Sequence, residues 1–159
     1  FVGYQSPEIF EGVTFTVNSI SQTTGSFDSY GLNYSNGSLK VAIASDSNAK
    51  GYDNKRFAST FSLDSLDIDV GVLYQTTKKL STGISENGHV VSVKKNVFEK
   101  GSIYYQTSSS DIKLESGEQN SFGYTHKISK VSKVFVHASN LESDTKNVDY
   151  VSVGFEYKF

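Results

Sequence analysis

Asp67 and Asp69, two residues apart in SLDIDVGV, are the sequence's nearest approach to a general acid–base pair. Such a pair needs a nucleophile or activated water beside it and groups that hold a substrate. These two carboxylates lie beside a turn, with no nucleophile partner nearby in sequence, so no enzymatic turnover is expected. The three histidines, His89, His126 and His137, show neither H-x-H nor H-x-x-x-H spacing. With no Cys in the chain, neither a disulfide framework nor a thiolate metal site can form, and no metal or other cofactor is expected. DSNAKGYDN and SSSDIKLESGE carry acids that could hold a divalent cation weakly, but neither has EF-hand ligand spacing. The tripeptides Asn33-Tyr34-Ser35 and Asn36-Gly37-Ser38 match a glycosylation sequon by chance, both falling at one turn.

A second group of residues could do electrostatic work. Lys40, Arg56, Asp67, Asp69, Lys94, Lys127, Glu156 and Lys158 each alternate with apolar neighbours. That pattern has the period of a β-strand, with the charges on one face and the apolar residues on the other. Packed inside a small closed core, eight charges would be prohibitive. Lining a water-filled lumen, they are solvated and set ion preference by their fields. Lys40 and Arg56 are the first choices for a basic wall. The alternative is the solvated outer face of an open sheet.

The elements that must carry these residues are strands throughout. LDIDVGVLYQ sets Leu66, Ile68, Val70, Val72 and Tyr74 against Asp67, Asp69, Gly71 and Gln75, with Leu73 the exception. The final VSVGFEYKF sets Val151, Val153, Phe155, Tyr157 and Phe159 against Ser152, Gly154, Glu156 and Lys158. Ten Tyr, eleven Phe and one Pro favour strands over helices. The periodicity predicts eleven strands, near 1–6, 12–20, 28–35, 38–46, 56–63, 66–76, 88–97, 100–108, 119–129, 132–141 and 147–159. Short connections such as SNG, DS, FEK and KVS alternate with long polar ones such as SQTTGSFD, DSNAKGYDNK and TTKKLSTGISENG. This is the layout of an antiparallel up-and-down barrel spanning a membrane, with short turns on the periplasmic side and long loops outside.

A net charge of −2 and a single arginine give no electrostatic case for nucleic acid. No apolar run reaches the length of a membrane-spanning helix, which leaves a membrane barrel open because it needs only every second residue apolar. Phe1 is not an initiator Met and no signal-peptide core precedes it, so the chain reads as processed or as a fragment. Strands one and eleven would run parallel, which is the wrong relation for closing an even-numbered barrel. The reading is therefore a single β-barrel domain over 1–159 that lacks its beginning.

Three stretches resemble the Gram-negative general (trimeric) porins of neisserial and related proteobacterial type. VGYQSPEIFEGVTFTVNS is similar to the strand–turn–strand that follows the family's constriction loop. SYGLNYSNGSLKVAIA is similar to its mid-barrel hairpin. YTHKISKVSKVFVHAS, followed by VSVGFEYKF, is similar to its ending, departing at Lys130-Val131-Ser132 and at Glu156-Tyr157-Lys158-Phe159. The resemblance implies eleven of sixteen strands, with about five N-terminal strands and an acid-bearing constriction loop absent. It further implies a multi-pass outer-membrane channel for passive diffusion of ions and small hydrophilic solutes. It also implies outer-membrane lipid around the barrel, a homotrimer, and recognition of Phe155, Tyr157 and Phe159 by the barrel-assembly machinery. Two rivals remain: a secreted, soluble β-sandwich or adhesin-like module whose long loops bind a partner, and a complete small barrel.

Overall fold

Serine 6 and proline 7 show how this sequence starts and stops a strand. Ser6 donates its N–H to the Phe15 carbonyl at 2.9 Å, and its hydroxyl accepts the Phe15 N–H at 2.9 Å. Pro7 has no N–H to continue the ladder, so β1 (Val2–Gln5) ends there. The computed structural model describes residues 2–22, 25–111 and 117–158. Ten further strands follow: β2 (Val13–Gln22), β3 (Gly25–Asn36), β4 (Leu39–Ala49), β5 (Tyr52–Leu63), β6 (Ile68–Lys79), β7 (Ser85–Val97), β8 (Gly101–Ser110), β9 (Gly117–Lys127), β10 (Ser132–Glu142) and β11 (Asn147–Tyr157). They hydrogen-bond in sequence order in one sheet. The one described helix is a single 3₁₀ turn, Asp64–Leu66.

All eleven expected strands are present, but the long polar loops are largely not loops. DSNAKGYDNK is nearly all strand: β4 runs to Ala49, β5 starts at Tyr52, and Ala49 pairs with Tyr52. Lys50 (φ 52°) and Gly51 (φ 86°) form the two-residue connection, with the positive φ that a type I′ hairpin requires. Asn48, also at positive φ, absorbs the bulge between Asp46 and Ala49 and takes Asp53 Oδ1 as acceptor for its N–H. TTKKLSTGISENG shrinks to 80–84, and ESDTKN to 143–146. Apolar alternation is missing in these stretches, yet the backbone ladder continues because its hydrogen bonds do not depend on side-chain polarity.

The chain divides into two compact units, each described by itself. One holds Phe1–Phe61 and Val72–His89; the other holds Ser62–Gly71 and Val90–Phe159. In the first unit, register places Thr14, Asn33, Ala42 and Ala58 in one row across β2 to β5. The adjacent row, Phe15, Leu32, Ile43 and Phe57, lies on the opposite face. In the second unit the row Phe122, Ala138, Val151 is apolar, and the next, Ser121, Ser139, Tyr150, is polar.

No apolar side chain is buried among the described residues. Leu32, Ile43, Phe57, Phe122, Val136 and Phe155 are all exposed, and Val153 is 80% exposed. A soluble sandwich buries the inner face of each sheet. Here the apolar face is the bare one, and the most buried side chains are polar: Ser6, Thr77, Ser121 and Ser139.

Candidate pore-lining face

Alternation puts every second side chain of β3 to β6 on the polar face, and in the first unit these chains bond to one another across strands. Arg56 on β5 donates its Nε to Gln75 Oε1 on β6 at 2.8 Å and lies 3.9 Å from Asp46 Oδ2 on β4. Asp46 also accepts the Ser29 hydroxyl of β3 at 2.8 Å. Gln75 continues to Thr77 Oγ1 at 2.9 Å, and Thr77 donates to Asn54 Oδ1 at 2.8 Å. The guanidinium is therefore held in one orientation over four strands. Its charge is partly balanced by Asp46, which accepts from a hydroxyl as well.

Lys40 does not join this group. It pairs in register with Ser35 and Thr60, four residues along β4 from Ala44, the partner of Arg56. At the rise of an extended strand that separation is about 13 Å. The basic wall expected from Lys40 and Arg56 is two separate charges at different heights.

The second unit holds the remaining expected residues. Asp69 accepts the Ser62 hydroxyl at 2.7 Å and pairs with Lys94 at 3.3 Å. Asp67 precedes β6, accepts the Asn96 N–H on its carbonyl at 2.9 Å, and lines a cavity together with Lys94 and Lys127. It caps the 3₁₀ turn in the left-handed region (φ 54°), where its N–H meets the Asp64 carbonyl at 3.2 Å. Glu156 stands opposite Lys133, and the two side chains meet at 2.9 Å. Lys127 is also opposite Lys133, on the other side of β10. Lys158 follows β11, its N–H on the Val131 carbonyl at 2.8 Å. Phe155 and Tyr157 lie on the exposed apolar face. Phe159 lies outside the described residues.

Sequence reasoning passed over two charged partners, Asp46 and Lys133. Asp46 shares strand parity with Lys40, so alternation could have found it; Lys133 meets Glu156 and Lys127 only through register. His137 is on the polar face, with Nδ1 on the Tyr104 hydroxyl at 2.6 Å and Nε2 on Ser139 Oγ at 2.8 Å. Ser139 meets Ser121 at 2.6 Å, and Gln119 Nε2 reaches the Tyr150 hydroxyl at 2.9 Å. Gly123, directly opposite both Tyr104 and His137, leaves the space that the Tyr104 ring fills. His126, by contrast, shares the apolar face with Tyr124.

No three His, Asp or Glu side chains converge on a metal-sized space among the described residues. Of the two acid-bearing segments, Asp46 and Asp53 in the first already serve hydrogen bonds within the sheet. The second falls partly outside the described residues.

No protein-family profile and no curated protein matches the chain. Solved structures do. An anion-selective porin from Comamonas acidovorans superposes over 99% of this chain with a TM-score of 0.78 at 19% identity. The chain carries the porin fold. An outer membrane protein of Vibrio cholerae, solved as a loop-deletion form, superposes at TM-score 0.75 and 13% identity over 98% of the chain. A porin refined at 1.8 Å gives 0.74 and 9% over 99%. The chain spans 58%, 61% and 60% of these three porins. Against the NanC porin it spans 97% of that chain, with a lower TM-score of 0.61 at 12% identity. In the porin fold, an antiparallel membrane β-barrel, the outward face is apolar and meets lipid in place of a protein partner.

Proposed function

We propose that this chain forms part of an outer-membrane channel that conducts ions and small hydrophilic solutes passively. One observation carries the reading: the described strands expose apolar side chains on one face and carry hydrogen-bonded charges on the other. A lipid-facing exterior and a wet lumen require this inversion of a soluble protein. The fold shared with solved porins supports it. The channel does no bond-making chemistry; Arg56, Asp46, Asp69 and Lys94 act through their fields on passing ions.

In the same reading the barrel assembles as a homotrimer, and the last strand, through Phe155 and Tyr157, engages the barrel-assembly machinery. Reconstitution of the purified protein into planar bilayers tests the central claim. Stepwise, ohmic conductance is expected. A protein that stays in the soluble fraction without detergent, and leaves the bilayer silent, would support a secreted binding module instead. Migration on an unheated denaturing gel at three times the monomer mass checks the trimer.

A further inference from the structure

Five lysines gather where β8, β9, β10 and β11 end on the short-turn side. Lys100, Lys127, Lys130, Lys133 and Lys158 line a cavity of about 660 Å³, with Glu156 its one carboxylate. The turn is firmly built. Ile128 and Ser129 donate their N–H groups to the Ser132 carbonyl, the Ser129 and Ser132 hydroxyls meet at 2.7 Å, and the Lys127 N–H reaches the Lys100 carbonyl at 2.8 Å.

Nothing in the ladder asks for this charge. Lys127 and Lys133 occupy directly opposed positions, where like charges destabilise a sheet. The next rows on the same face are neutral, Thr125 with Phe135 and Gly123 with His137. Glu156 is taken by Lys133, and the other four lysines make no ion pair among the described residues. Lys100 and Lys127 also line an adjoining cavity that holds Asp67 and Glu99, neither of which pairs with them, so the cavity itself keeps five lysines to one carboxylate.

We propose that this cavity is a binding site for a small multivalent anion, phosphate- or carboxylate-bearing and of pyrophosphate or citrate size. Lys127 and Lys133 share the polar face with His137 and Ser139, opposite the exposed valines of β10 and β11, so the ligand is a dissolved solute and not a lipid headgroup. Ammonium groups on flexible stems act as point charges, so the site selects for charge more than shape. Pyrophosphate and citrate bind comparably, both ahead of monovalent anions. Access of solute from the lumen rests on the channel reading; the binding itself does not.

The test is calorimetric titration of the folded chain, in phospholipid-free detergent at low salt, with pyrophosphate and separately with citrate. Saturable binding that fades at high ionic strength is expected. The pair K127Q and K130Q should weaken it by about tenfold or more, while K127R with K130R keeps it, since only the charge is required. Unchanged affinity in the glutamine pair overturns the site. So does binding seen only with dihexanoylphosphatidylglycerol. Should the glutamine pair fail to fold by circular dichroism, Lys158→Gln, beyond the last paired residue of β11, carries the same test alone. Anion binding without conductance would sink the channel reading and leave the site standing.

Discussion

Arg56 reaches past its cross-strand partner Ala44 to stand 3.9 Å from the carboxylate of Asp46, two residues further along β4. The charge on the polar face at that height is a pair, and each member masks the other.

Selectivity should therefore respond to both partners in opposite directions. Asp46→Asn unmasks the guanidinium and is expected to move the reversal potential in a salt gradient toward anions; Arg56→Gln should move it toward cations. Combined, they should nearly cancel. Lys40→Glu, about 13 Å away along the strand, should shift selectivity independently and add to either change. Reversal potentials that ignore all three substitutions would remove these residues from the conducting path.

Val153 and Ser152 are neighbours on opposite faces of β11, and Val153 is 80% exposed. If Val153 meets lipid, Val153→Arg should lower folding stability in vesicles by about 2–4 kcal/mol near the bilayer midplane. Ser152→Arg, on the polar face, should lower it far less. Equal penalties in a urea titration in lipid vesicles would contradict the assignment of faces.

The Tyr104 hydroxyl lies 2.6 Å from His137 Nδ1 on the half-buried part of the polar face. Tyr104→Phe should destabilise the folded barrel by about 1 kcal/mol, the usual net contribution of such a bond. Ser139→Ala should do more, because Ser139 bonds both His137 and Ser121 and is only 4% exposed. A Tyr104→Phe protein as stable as the parent in the same titration would show the bond contributes nothing.

Gly123 leaves the space across which the Tyr104 ring lies. Gly123→Val puts a branched side chain where the ring sits and should cost about 1–3 kcal/mol through overpacking. In a Tyr104→Ala background the same change should be nearly neutral. Additive losses in this double-mutant cycle would mean that the two residues do not share that space.

Some of this protein was fixed by alternation alone. Eleven strands, the apolar and polar sides of each, and the exposure of Val151, Val153, Phe155 and Tyr157 all follow from a period of two, because the pleat leaves a side chain no third direction. The same rule carried Arg56, Asp69, Lys94 and Glu156 to the polar face. It failed in the polar connections, where the apolar pattern is missing while the ladder runs on. Register is what a single strand cannot encode. Only the paired strands bring Asp46 to Arg56, Lys133 to Glu156, Tyr104 to His137 across Gly123, and five lysines to one cavity. Those meetings depend on which residue stands opposite which, and that is settled only when neighbouring strands pair.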